Sequence, residues 1–212
     1  MGLRPIYWSL SRQIARRTLV FFASERQSEL PKLDQAEIRF GGAGHEDVAE
    51  RLARLRGQDS GEYRAWLAAG HCVIYALGAD GDLQSWGWVT APVDEAQDSP
   101  WEFGIRLRVQ PGAGFLWDYF TMPKYRGRGL YKALLRHSAE QCFIRGAHRA
   151  WGYADVTNSA SRRGLLSSDY GGDTEIRLSR FGPFCRIVRP GLRYTVRVGG
   201  VLELDALLPR AR

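Results

Sequence analysis

Apolar and polar positions along this chain follow two periods, and the switches between them mark out its elements. Over residues 101–109, Phe103, Ile105, Leu107 and Val109 alternate with Glu102, Gly104, Arg106 and Arg108, which predicts a strand with one buried face. Residues 72–77 and 83–90 are denser apolar runs joined through Ala79-Asp80-Gly81-Asp82, a hairpin signal, and residues 91–99 with Pro92 read as a polar loop. The helical period appears at Val48, Leu52 and Leu55 within 46–55, and at Tyr63, Trp66 and Leu67 within 61–69. Near the start, Ser9 or Ser11 would cap a short helix to Arg17, residues 18–22 read as a strand, and 24–34, with Pro31, as a linker. Residues 36–40, 149–154, 175–178, 184–188 and 192–198 complete the expected strands.

The chain is organised around residues 115–137. An aromatic-rich run breaks at Pro123, turns through Arg126-Gly127-Arg128-Gly129, and resumes with Leu130, Leu134, Leu135, Ala139 and Cys142 at helical spacing. Strand, glycine turn and helix together make a candidate anion site. Glycines let a ligand approach the backbone, and the first N–H groups of a helix lack intrahelical acceptors and carry the positive end of its dipole. A P-loop would need Gly-x-x-x-x-Gly-Lys-Ser/Thr and a dinucleotide fold Gly-x-Gly-x-x-Gly; neither is present, since Lys132 stands three residues after Gly129 and Ser138 lies too far along the helix.

The stretch resembles the coenzyme A signature of the GNAT superfamily of N-acyltransferases: a strand ending Val-x-Pro, then Gln/Arg-x-x-Gly-x-Gly/Ala, then a helix. Here it reads Thr121-Met122-Pro123, then Lys124-Tyr125-Arg126-Gly127-Arg128-Gly129. A second block, with Asn158-Ser-Ala-Ser161 opening a helix and Asp169-Tyr170 in place of Gly-Phe, follows at the expected distance. The resemblance implies a single α/β domain with a mixed, mostly antiparallel twisted sheet flanked by helices, covering 34–205. Residues 1–33 would then be a basic, amphipathic extension packing on the domain and 206–212 a tail.

The activity it implies is acyl transfer from acetyl-CoA, or another acyl-CoA, to an amine in a ternary complex. Acceptors of that kind include amino sugars, amines and amino acids. The alternative is a non-catalytic acyl-CoA sensor or interaction module. On the resemblance, backbone at Phe120, Thr121 and Met122 would pair with the pantetheine arm and polarise the thioester. N–H groups around Arg126, Gly127, Arg128, Gly129, Leu130 and Tyr131 would take the pyrophosphate, with both guanidinium groups available to phosphates. Asn158, a favoured cap residue in any case, and Ser161 would face the pantetheine. The early helices would wall the acceptor side.

The chain departs from the family at the base and the acid. Trp117 stands where relatives often carry a Glu, and Leu165 where many carry a Tyr. Asp118 is the candidate base, with Asp155 second, although strict alternation would turn Asp118 to the other face of its strand unless a bulge intervenes. Trp86, Trp88, Trp101 and Trp151 line either an acceptor pocket or a Trp-rich core. His137 and His148 read as surface.

Composition changes this picture little. At 212 residues with 44% hydrophobic content, the chain suits one domain, and no run is apolar and long enough to span a bilayer. Arg12, Arg16 and Arg17 interrupt any secretory signal, so the expectation is a cytoplasmic protein. Cys72, Cys142 and Cys185 are odd in number and lie in apolar runs, which predicts buried free thiols; no metal site is expected. The net charge of +7 raises nucleic acid as a partner, but cations and carboxylates are interspersed along the chain, so it is not the expected one. A homodimer is left open.

Overall fold

The computed structural model describes residues 14–25, 36–57 and 59–208. In chain order the elements are β1 (Ile14–Ser24), β2 (Ala36–Gly41), α1 (Glu46–Arg56), α2 (Ser60–Ala68), β3 (Cys72–Gly78), β4 (Leu83–Thr90), β5 (Gln97–Pro100), β6 (Arg106–Val109) and β7 (Ala113–Thr121). Then come α3 (Leu130–Ile144), β8 (Arg149–Asp155), α4 (Ser159–Leu166), β9 (Gly171–Phe181), β10 (Phe184–Arg189), β11 (Leu192–Arg197), β12 (Val201–Glu203) and the short α5 (Leu204–Leu207). Single 3-10 turns sit at Glu102–Gly104 and Pro123–Tyr125.

The strands make a nine-stranded sheet in the order β11-β10-β9-β1-β8-β7-β4-β3-β2, and β12, β6 and β5 make a second, three-stranded one. Within the large sheet the β7–β8 pair is parallel and the other pairs are antiparallel, the mixed, mostly antiparallel sheet expected from the sequence. Each face carries its own core. On one, α1, α2 and the small sheet bury Val48, Leu52, Tyr63, Leu67 and Leu107 against Trp86, Trp88 and Phe115. On the other, α3 and α4 bury Leu130, Leu134, Leu135 and Leu165 against Val20, Ile74 and Leu116. Each such leucine contributes about 1.5–3 kcal/mol on removal from water. The four tryptophans in question are all buried, so they belong to the core.

Helix limits follow local chemistry. α1 starts with Glu46 and Asp47 in its first turn and stops at Gly57, whose φ of 62° closes a left-handed cap. The Asp59 side chain accepts from Gly61 N–H to open α2.

Four expectations need correction. Residues 14–17 are strand, not the end of a helix, because they pair with residues 178–181 of β9, while β8 joins β1 only from Leu19 onward; residues before 14 lie outside those described. The boundary at 33/34 therefore cuts off a strand in the middle of the sheet rather than an appendage. The strand expected over 101–109 starts only at Arg106, since Phe103 and Gly104 take φ of 57° and 74° and turn the chain, while part of the supposed loop pairs with β6 as β5. At the other end, Leu207 and Leu208 are buried in the core, so the tail does not begin at 206. The three cysteines are free and buried, as expected. No helix among the described residues is long and apolar enough to cross a membrane.

Candidate active site

The site begins where β7 and β8 part. Ala113, Gly114, Phe115 and Leu116 pair with Arg149, Ala150, Trp151 and Gly152, and the pairing stops there although both strands continue. A cavity of about 260 Å³ opens in the fork, lined by Asp118, Tyr119, Tyr131, Tyr153, Asn158 and Ser161 among others. Backbone groups of parted strands face this gap, which suits an extended amide-bearing ligand laid in like a strand.

At the head of the fork β7 carries one residue too many. Trp117 pairs with Trp88 and Phe120 with Trp86, so Asp118 and Tyr119 together oppose Gly87. Asp118 takes φ of 49° to make this bulge, and Gly87 has no room for a Cβ because the Tyr119 ring lies against it. The bulge resets the alternation. Trp117 remains in the core on the α1/α2 side, and the Asp118 carboxylate also faces that side, 3.5 Å from Arg56 Nη1, while Tyr119 points the other way, to Ser138. Strict alternation would have separated Trp117 from Asp118. Burial raises the Asp118 pKa, the Arg56 guanidinium partly offsets this, and Glu62 adds to the rise. Burial, together with the Asp118 charge, pushes neighbouring Tyr63 up to about 12.

Trp117, at the family's usual base position, is tied into a buried polar cluster. Its indole N–H donates to Thr90 Oγ1 at 3.0 Å, and Thr90 contacts Ser99 Oγ and His71 Nδ1, each at 3.0 Å. Burial holds the His71 pKa down at about 4, so the ring is neutral at physiological pH.

At the mouth of the fork lies the glycine turn. Gly127 and Gly129 take φ of 78° and 76°, and a Cβ at either would meet nothing within 4 Å, so the requirement for glycine is conformational. Gly129 caps α3 without a side-chain hydrogen bond, which leaves the first-turn N–H groups open to an anion. The turn is anchored by Tyr125, buried and donating its O–H to Asp82 at 2.7 Å. The guanidinium groups of Arg126 and Arg128 lie over the rings of Phe120 and Tyr125 at 5.8 and 5.3 Å. Leu130 has a buried side chain, so only its backbone faces the turn.

Asp118, Tyr131, Asn158 and Ser161 all line the fork. Asn158 caps α4 by accepting from Ser161 N–H at 3.0 Å. Met122 does not fit its expected part: its N–H goes to Gln84 C=O and its C=O accepts from Tyr125 N–H, each at 2.9 Å. Phe120 C=O accepts from Ser85 Oγ at 3.0 Å and Thr121 C=O from Arg126 Nε at 3.2 Å. Asp155 accepts from the N–H and the hydroxyl of Thr157, at 2.9 and 2.6 Å, and these bonds lower its pKa, a cap rather than a base. Leu165 is fully buried against Gly152.

Three residues in the fork escaped the sequence reading. Glu102 pairs with Arg17 at 2.8 Å and accepts from the Tyr153 hydroxyl at 3.4 Å; burial raises its pKa and Arg17 opposes the rise. Tyr131, expected to contribute only its backbone, also brings its side chain to the fork. The Tyr131 ring lies on Gly164, where no Cβ would fit, its hydroxyl bonds the Ser161 side chain, and burial pushes its pKa up to about 12.

Comparison with known proteins agrees with this geometry. No curated protein matches the chain. Similar solved structures include a GNAT-family acetyltransferase from Novosphingobium aromaticivorans (TM-score 0.53, 18% identity, 79% of this chain and 66% of that one). Others are a GNAT-family acetyltransferase from Colwellia psychrerythraea (0.55, 12%, 79% and 57%) and a Drosophila protein (0.56, 17%, 85% and 57%). These likenesses establish the fold, and the chain spans between 57% and 66% of the length of those structures. The sequence profile described as the Acetyltransferase (GNAT) family matches residues 47–164, more than half of the chain, including the glycine turn and both strands of the fork, and the chain belongs to that family.

Proposed function

We propose that this protein transfers an acyl group, acetyl being the simplest, from an acyl-CoA to the amine of a small acceptor within a ternary complex. The observation that carries this reading is one line of features: the glycine turn, the fork between β7 and β8, and a bulge that turns Asp118 to the α1/α2 side. The pyrophosphate lies on the N–H groups around Gly127 to Tyr131, and the pantetheine arm lies in the fork beside Asn158. Asp118, its pKa raised by burial, takes a proton from the acceptor ammonium. The freed nitrogen forms a bond to the thioester carbon, and the C–S bond breaks. The thiolate takes a proton from Tyr131, a neutral donor at physiological pH, and the second nitrogen proton restores the phenol. Arg17, Glu102 and Tyr153 fix the far wall of the fork. Cytoplasmic residence belongs to the same proposal.

Purified protein given acetyl-CoA and a panel of amines should release thiol in an amine-dependent way, and calorimetry should show acetyl-CoA binding. One observation favours a second reading, a non-catalytic acyl-CoA sensor: Trp117 and Leu165 fill the family's base and acid positions with core side chains. Binding of acetyl-CoA without thiol release across the panel would select the sensor, and absence of binding would reject both.

A further inference from the structure

Beyond Asp118, on the α1 side of β7, lies a second concavity of about 240 Å³ between α1, the β3–β4 hairpin and the turn after β7. Its charged lining is Arg51, Arg54, Lys124 and Asp82 over apolar Leu83 and Met122. The one carboxylate is engaged, accepting from Lys124 Nζ at 2.9 Å and from the Tyr125 hydroxyl at 2.7 Å. Arg51 gives one N–H to Gly81 C=O at 2.7 Å, and the Arg54 guanidinium has no partner among the described residues. Two guanidinium groups with donors to spare, side by side over an apolar floor, match a carboxylate or a phosphate.

Its position relates it to the reacting centre. Phe120 and Met122 pack in the same core as Trp117, on the face to which Asp118 turns, and a strand rise of about 3.3 Å per residue puts Met122 roughly 13 Å from Asp118. Between them Arg56 and Arg126 stand over the Phe120 ring at 5.0 and 5.8 Å. A lane of cations thus leads from the carboxylate to the concavity. We infer that the concavity holds the anionic end of the acceptor, so that the substrate class is an amine carrying a carboxylate or phosphate roughly 10 Å from its nitrogen. This rests on the reading of Asp118 as the base end of an acyl-transfer site. In the ternary complex the ammonium replaces the Arg56 guanidinium beside Asp118, while Arg51 and Arg54 receive the anion.

The test is equilibrium binding to the CoA-loaded protein by calorimetry, with two matched pairs as probes: triglycine against triglycinamide, and 6-aminohexyl phosphate against 6-aminohexanol. At least one anionic member should bind about tenfold or more tighter than its neutral partner, and the pair that does so tells carboxylate from phosphate. The Arg51→Gln/Arg54→Gln double variant should abolish the preference, Arg54→Lys should keep part of it, and CoA affinity should not move. Equal binding within both pairs, or a preference that survives the double variant, overturns the inference. Coenzyme A carries its own ribose phosphate, so a double variant that weakens CoA but not dephospho-CoA assigns the concavity to the co-substrate and overturns it as well. The same titrations on protein without CoA keep this test separate from the acyl-transfer reading, which fails if acetyl-CoA does not bind.

Discussion

Asp118 owes its orientation to one inserted residue, and its basicity to the balance between burial and a single cation 3.5 Å away. That balance can be moved in a known direction. Replacing Arg56 with Gln removes the charge that lowers the Asp118 pKa and leaves burial to raise it further. The acid limb of the kcat/KM profile, which reports the base in the free enzyme, should therefore shift to higher pH. A limb that stays in place would take Asp118 out of the base role. Asp118→Asn should lower kcat by about 10²–10⁴-fold while the acetyl-CoA dissociation constant stays within about twofold. Tyr131→Phe should cost turnover with CoA thioesters and far less with acetyl donors whose leaving group needs no proton, a contrast that mere loss of packing on Gly164 would not produce. Asp118 was visible in the sequence as a carboxylate beside the expected position. Its side of the strand was not, because a bulge is a mismatch between two strands and cannot be read from either alone.

The strand, glycine turn and helix around α3 were legible because every instruction in them is local: Pro123 stops a strand, two glycines supply positive φ, and leucines at helical spacing start a core face. Gly127 and Gly129 accordingly give a local prediction. A methyl group at either meets no atom within 4 Å, so alanine there acts on the backbone alone, at about 1–2 kcal/mol for holding an L-residue at that φ. Either variant should keep its circular dichroism spectrum and weaken CoA binding by about tenfold as the turn relaxes. The first residues of β1, the strand β5 and the break at Phe103 were illegible for the opposite reason. The polar residues of β5 read as a loop until β6 pairs with them, and Arg16 and Arg17 hide the strand character of the start of β1 until β9 pairs with it. Arg17, Glu102 and Tyr153 meet only through that pairing, so no spacing in the chain announces them. Long-range pairing also buries His71 with Thr90, Ser99 and Gln97. Its pKa lies near 4 in the fold and near 6.5 in the unfolded chain. Above pH 6.5 both states are neutral there and the fold keeps its full stability. As pH falls from 6.5 toward 4 the unfolded state takes the proton first, and stability should drop by up to about 3 kcal/mol. Urea unfolding at pH 7 and at pH 4.5 should show this loss, and His71→Gln should flatten it.

At the scale of the whole molecule, the net charge of +7 is not spread evenly, although no run of cations occurs in the chain. Pairing registers collect arginines on the flank where β1, β9, β10 and β11 lie side by side. Arg16 and Arg186 both pair with Ser179, Arg177 and Arg193 both pair with Val188, and Arg197 pairs with Phe184. Their side chains stand opposite Ile176, Leu178, Cys185 and Ile187, which are buried on the core face, so all five guanidinium groups share the outer face with Glu175, which takes one of them, Arg177, at 3.0 Å. Cations two strands apart are separated by about 10 Å, close to the screening length at 0.1 M salt, so they repel in dilute buffer and far less in concentrated salt. The fold should therefore become more stable as sodium chloride rises from low to near-molar concentration, with a gain in melting temperature of about 2–4 °C. Arg186→Gln combined with Arg193→Gln should capture most of that gain at low salt and leave little for added salt to do. The core of this flank is apolar and the substitutions lie on its solvent side, so hydrophobic strengthening by salt predicts the same gain in both proteins, and differential melting curves at two salt concentrations separate the two explanations. If the variant's salt dependence matched that of the wild type, repulsion among these arginines would not be what added salt relieves.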